Sequence, residues 1–195
     1  AASAIDLPSQ LTEQFRELRL PTIRDQFLEA ATRAATENLS HLEYLSELAT
    51  VECETRRFGR IRRLLTRSRL PFGKTWDNFK FDRLPLNVTR QLETLRDGSF
   101  LIRRENILIF GKPGSGKSHV LCALAEQLVQ QGHSILFTTC ALLVQQLLIA
   151  KRDLRLSKLI NQLSKFEGLI IDDLGYVQQS REEMEVLFTL LAERY

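Results

Sequence analysis

The residues best suited to chemistry in this 195-residue chain are Gly111-Lys112-Pro113-Gly114-Ser115-Gly116-Lys117-Ser118, which fit G-x-x-x-x-G-K-[ST]. Glycines let a backbone turn tightly enough for several N–H groups to converge on one phosphate, and a helix starting there adds its positive partial charge. In that pattern Gly111, Pro113, Gly114, Ser115 and Gly116 form the cradle, Lys117 reaches the β- and γ-phosphates, and Ser118 offers its hydroxyl to Mg2+. His119 follows directly and offers its backbone amide to the phosphates. Its imidazole reads as structural, because His41, His119 and His133 form no triad or ligand cluster. A second set is Gly168-Leu169-Ile170-Ile171-Asp172-Asp173, an apolar run ending in two carboxylates, with Asp172 lying 55 residues beyond Lys117. At the end of a buried strand Asp172 would hold the metal through water, and Asp173 would orient or deprotonate an attacking water. Asp173 is one methylene shorter than the Glu commoner at that place. Paired acids favour hydrolysis over transfer to an acceptor that brings its own nucleophile. The two motifs together predict binding and hydrolysis of ATP with Mg2+.

Positioning these residues requires strands and helices in alternation. Asn106 to Phe110 reads as a buried strand, the Gly-rich turn follows, and Val120, Leu121, Leu124, Leu128 and Val129 line a helix closed by Gly132. Ser134 to Thr138 is a second strand, residues 141–166 are helical in two pieces near Asp153, and Leu169 to Ile171 is a third strand before a helix from Arg181 to Arg194. This alternation predicts an α/β fold with a parallel sheet covered by helices on both faces. The first 70 residues read as helices only, broken at Pro21 and ended by Leu70-Pro71. Within them Ser40-His41-Leu42-Glu43 has the form of a capping box, and Gly59 weakens or breaks the long helix that follows. Residues 71–83 hold turn formers but also Phe72, Trp76, Phe79 and Phe81, which are too apolar for a free linker. The expected organisation is therefore a helical N-terminal domain over 1–70, an aromatic connector over 71–83 and a P-loop core over 84–195.

Charge is distributed unevenly. Residues 1–50 carry four Arg against eight carboxylates, whereas residues 51–75 carry seven Arg and one Lys against two Glu. Arg56, Arg57, Arg60 and Arg63 lead that second group, and arginine forks suit phosphate oxygens. Lys151, Arg152, Arg155, Lys158 and Lys165 make a second basic group; Lys151 and Arg155 at i,i+4, and Arg155 and Lys158 at i,i+3, would make one helical face basic. Both groups are candidates for contact with duplex DNA, against the plainer reading of solvated helix surfaces. Cys53, Cys122 and Cys140 are odd in number and show no metal or redox spacing, which points to reduced thiols and a cytoplasmic setting. The longest apolar runs fall far short of the roughly 20 residues that a membrane span needs. The first residues, Ala1 to Asp6, lack a signal-peptide layout.

The run Leu18-Arg19-Leu20-Pro21, the Arg-rich helix ending Arg69-Leu70-Pro71, Lys74-Thr75-Trp76-Asp77-Asn78-Phe79, the P-loop and Leu169-Ile170-Ile171-Asp172-Asp173-Leu174-Gly175-Tyr176 together resemble the IstB family. These are transposition helper ATPases of bacterial insertion sequences, AAA+ proteins close to the DnaC/DnaI-type helicase loaders. The resemblance covers nearly the whole chain. It implies an ATPase that self-assembles on double-stranded DNA, with ATP between neighbouring subunits, and that engages a transposase. It also implies that the helical section 141–165 contacts DNA and that the connector around Phe79 leads into the adenine pocket. A replicative helicase loader and a nucleotide-gated DNA-binding scaffold with little turnover are the competing readings. Family members continue past Glu193-Arg194-Tyr195 into a strand with a sensor residue and helices with an arginine finger, so Arg194 is not given that role. The implied strand order 5-1-4-3-2 puts a fourth strand between 106–110 and 169–171. The expectation is that the 195 residues belong to a longer chain and form no competent ATPase alone.

Overall fold

The computed structural model describes residues 6–175 and 180–194; Ala1–Ile5, Tyr176 and Tyr195, which the sequence reading touches, lie outside them. The chain divides into two compact units, Ala1–Arg60 and Ile61–Tyr195. The division falls within a long helix because Leu64, Leu65 and the following Leu70 pack into the second unit's core.

The first unit is built from α1 (Leu7–Glu17), α2 (Pro21–Glu37) and the first part of α3 (His41–Ser68). Pro21 opens α2, where its missing N–H costs nothing. Asn38 closes it in the left-handed conformation. The capping box forms as the sequence predicts: Ser40 N–H donates to Glu43 Oε2 at 2.8 Å, and Glu43 N–H donates to Ser40 Oγ at 3.2 Å. Phe15 meets Phe27 edge-on at 5.3 Å, and Phe27, Ala34 and Leu48 are buried. Glu52 is the polar centre of this unit. Its Oε2 accepts the N–H groups of Thr22 and Ile23 in the first turn of α2, and its Oε1 accepts Arg56 Nε at 2.7 Å. α3 runs straight through Gly59, so the expected weakening there produces no break. Leu42, Leu45 and Phe58 of α3 lie exposed.

The second unit holds α4 (Leu86–Leu95), α5 (Ser99–Ile102), α6 (Lys117–Gln130), β1 (Ile135–Thr139), α7 (Cys140–Arg152), α8 (Leu156–Leu163), β2 (Gly168–Asp172) and α9 (Arg181–Arg194). β1 and β2 pair in parallel, from Ile135 opposite Gly168 to Thr139 opposite Asp172. α7 and α8 supply the crossover that parallel strands require. Strand side chains alternate between faces. Ile135 and Ile170 join a core with Val120, Ala123, Leu124 and Leu128 of α6, while Leu136, Leu169 and Ile171 join a core with α7, α8 and α9. The sheet is therefore covered on both sides, as expected for this α/β class.

Two expectations need correction. Asn106 to Phe110 is a segment without regular secondary structure, not a strand, among the described residues. Among the described residues β1 and β2 pair only with each other, and no neighbour completes a ladder with this segment. It is also not buried on both sides: Ile107 and Ile109 pack on the α6 core, whereas Leu108 and Phe110 are 71% and 86% exposed. The second correction concerns Lys151 and Arg155. The helix breaks at Asp153–Arg155, with Leu154 at φ +56°, so the two are not successive-turn neighbours on one helical face.

Candidate nucleotide-binding site

Residues 111–116 form an irregular loop between the 106–110 segment and α6. Gly114 and Gly116 hold φ +75° and +89°, a region in which a side chain meets its own backbone. Gly116 is the N-cap of α6 and no side chain caps the helix, so the first-turn amides remain directed into the loop. Lys117 Nζ curls back over that loop and donates to the carbonyls of Gly111 at 2.9 Å and Lys112 at 3.0 Å. A cation and a group of helix-terminal amides thus converge on one concave stretch of backbone. Ser118 and His119 follow, half-buried in the first turn of the helix.

The aromatic connector docks beside this loop. Trp76 is buried; Phe81 lies 4.7 Å from it and Phe79 lies 4.8 Å from Phe81. The Arg96 guanidinium covers the Trp76 ring at 4.8 Å. Phe79 packs so closely on Gly116 that a Cβ there would meet the ring's Cε2 at 2.9 Å. His119 presents its ring edge-on to Phe79 at 5.1 Å, and its Nε2 lies 3.1 Å from the Thr75 carbonyl oxygen. Phe72 remains fully exposed. The imidazole contact is the site feature that sequence reasoning missed. Its only local signal was the position of His119 directly after the P-loop serine.

Asp172 ends β2, half-buried, and Asp173 follows it, exposed and at φ +59°. A left-handed aspartate is uncommon and concentrates where geometry matters more than backbone ease. Asp173 also accepts the Gly175 N–H through its backbone carbonyl, which closes the turn. The Cys122 thiol marks where Asp172 sits. Burial pushes that thiol up to about 11, the Lys74 ammonium opposes the rise, and the Asp172 carboxylate adds to it. The strand-end acid and the connector lysine therefore both lie within electrostatic reach of α6, one turn beyond Ser118. Ser118 and Asp172 are oxygen donors only, the set that suits a hard cation such as magnesium. Among the described residues no group of three or more His, Cys, Asp or Glu could hold a metal by itself.

The basic residues divide according to what already holds them. Arg56 is engaged by Glu52 and by the Arg19 carbonyl. Arg57 and Arg60 are exposed in the first unit, and Arg63 is exposed in the second. Lys151 is tied to α9 through Glu185 at 3.3 Å and Glu182 at 3.9 Å, and Arg152 sits 3.7 Å from Asp153. Arg155 and Lys158 line a groove of about 370 Å³ with Gln146 and Gln162. An adjoining groove of about 360 Å³ shares those glutamines and adds Arg67 and Arg69 from the end of α3. Two stretches some 90 residues apart in the chain thus meet on one surface of the second unit. Gln146 and Gln162 carry no charge, so a count of cations could not find them. Arg194 is half-buried and donates to the carbonyls of Leu163 and Phe166, satisfying the end of α8. No helix among the described residues is long and apolar enough to cross a membrane.

Comparison with known proteins points the same way. A family profile described as IstB-like ATP-binding protein matches residues 13–195. A protein of Sinorhizobium fredii named as an insertion-sequence ATP-binding protein is 40% identical over 188 residues, covering 96% of this chain and 63% of its own. A similarly named protein of Geobacillus stearothermophilus is 32% identical over 189 residues, 97% of this chain and 75% of its own. One from the insertion sequence IS21 of Pseudomonas aeruginosa is 34% identical over 163 residues, 84% of this chain and 62% of its own. The chain thus spans a little under two thirds of the length of the first and third of these relatives.

Proposed function

This chain belongs to the IstB-like ATP-binding protein family, and from that premise we propose that it binds and hydrolyses Mg-ATP, assembles on double-stranded DNA and assists a transposase. The observation that carries the proposal is the uncapped N-terminus of α6 with Lys117 folded over the same loop. Phosphate oxygens would accept the first-turn amides, which have no carbonyl partners of their own. Lys117 would exchange its two loop carbonyls for β- and γ-phosphate oxygens, a stronger, charge-assisted contact. Ser118 and Asp172 would hold Mg2+, which when bound neutralises charge on the phosphates. Asp173 would orient the attacking water, its exposed carboxylate lying one residue beyond the strand end. Phe79 would border the nucleoside, beside Gly116. The relatives named for insertion sequences support a transposase as the partner.

The two adjoining grooves, one lined by Arg155 and Lys158 and the other by Arg67 and Arg69, support DNA as the surface on which subunits gather. Four cations there would meet phosphates spaced along one backbone, with the two glutamines available as donors. Measuring ATP hydrolysis with and without duplex DNA, alongside light scattering for assembly, tests the reading. With the protein that carries this chain, DNA-stimulated hydrolysis together with growth in particle mass is the expected result. Nucleotide and DNA binding without turnover would favour the scaffold reading instead.

A further inference from the structure

The imidazole of His119 has no part in the phosphate contacts described above, yet it makes a polar contact between the P-loop helix and the connector. Three contacts meet there. His119 Nε2 lies 3.1 Å from the Thr75 carbonyl oxygen, 44 positions earlier in the chain. The same ring meets Phe79 edge-on at 5.1 Å. Phe79 in turn rests on Gly116, the residue that caps α6. A carbonyl can only accept, so Nε2 must carry the proton in this contact. The connector is otherwise held mainly by its aromatic stack, from Trp76 through Phe81 to Phe79, and by a turn in which Phe79 N–H donates to the Trp76 carbonyl. Trp76 is buried in the core formed by α6, with Phe79 and Phe81 packed against it. The hydrogen bond from His119 adds a directional contact to that apolar packing, from a residue of α6 itself.

Building on the nucleotide-binding reading, we propose that His119 is a positioning residue: its Nε2–H fastens the Thr75 carbonyl and sets Phe79 over Gly116, so that the connector forms the wall for the nucleoside portion of the ligand. In the nucleotide-binding reading the phosphate cradle is made of backbone amides and Lys117, whereas the His119 ring contacts Thr75 and Phe79 of the connector. Loss of the imidazole therefore separates two parts of one ligand. Groups bound through the nucleoside weaken, and groups bound through phosphate alone do not.

The test measures binding of ADP and of inorganic tripolyphosphate, each with magnesium, to the full chain by calorimetry. His119→Ala is expected to weaken ADP about tenfold, the scale of one hydrogen bond together with part of an aromatic contact. Tripolyphosphate affinity should stay within about twofold. His119→Gln, whose amide N–H can reach the Thr75 carbonyl, should recover most of the loss. Phe79→Leu should reproduce the same split by a separate route. Equal weakening of both ligands by His119→Ala would mean a general structural role and overturn the proposal, as would unchanged ADP binding or the absence of recovery in His119→Gln. Failure of the unmodified chain to bind either ligand would instead strike the nucleotide-binding reading, and this proposal with it.

Discussion

Replacing Gly116 with alanine adds a single methyl group, and two separate costs follow from where it points. The first is backbone strain: φ is +89°, and an L-residue held in the left-handed region costs about 1–2 kcal/mol. The second is a collision, since the new Cβ would stand 2.9 Å from Phe79 Cε2 and 3.4 Å from Cζ. The ring is packed against Phe81 and His119, so it cannot swing away freely, and overpacking of this kind costs about 1–3 kcal/mol. Gly114 separates the two costs. It has φ +75° and nothing within 4 Å of its would-be Cβ, so Gly114→Ala bears the strain alone. The expected losses are about 1–2 kcal/mol for Gly114→Ala and about 2–5 kcal/mol for Gly116→Ala. For a chain of this size each kcal/mol lowers Tm by about 2–4 °C. The assay can be made specific to this unit, because Trp76 is the sole tryptophan and lies in its core. Its fluorescence, followed through denaturant unfolding, reports the core beneath the connector. Adding Phe79→Leu to Gly116→Ala completes a cycle in which the pair should be less damaging than the sum of its parts. Equal losses for the two glycine variants, or strict additivity with Phe79→Leu, would refute the contact argument.

Further predictions concern the charged groups. Lys117→Ala should abolish tight ATP binding by removing the side-chain cation from the cradle, while Asp173→Asn should keep binding and lose turnover; a binding isotherm beside a phosphate-release assay separates them. Arg155→Glu with Lys158→Glu should weaken duplex binding and lower the log–log salt slope by about 0.9 for each phosphate no longer neutralised, as read by anisotropy across a salt series. Lys151→Glu should matter less, because Glu182 and Glu185 already hold that ammonium. Burial works to raise the Glu52 carboxyl, but hydrogen bonds from Arg56, Ile23 and Thr22 outweigh it, and its folded value lies below the ordinary 4.5. Its contribution to stability is therefore present above pH 4.5 and lost as pH falls through the lowered folded value. Helical signal during acid titration should show that loss in the unmodified chain, and Glu52→Gln should remove that component of the pH dependence.

Much of the site was legible because its signals are local. The P-loop glycines, the lysine and the serine are defined by backbone freedom and spacing within eight positions, and a helix starts where that spacing requires. The capping box, the break near Asp153 and the two paired strands were likewise written in short-range pattern. Tertiary structure decided what each group meets. Ile107 to Phe110 has the apolar character of a strand, but a strand exists only where a neighbour accepts its hydrogen bonds, and β1 and β2 pair with each other. Arg56 and Lys151 looked like free cations in a charge count; Glu52, one turn earlier on α3, pairs with Arg56, whereas the acids that hold Lys151 are brought in by folding on α9. The partner of the His119 ring, the Thr75 carbonyl 44 positions earlier, was fixed only by where the connector docks. Backbone propensity acts over a few residues, whereas ion pairs, ring contacts and strand neighbours depend on which distant segments the core draws together.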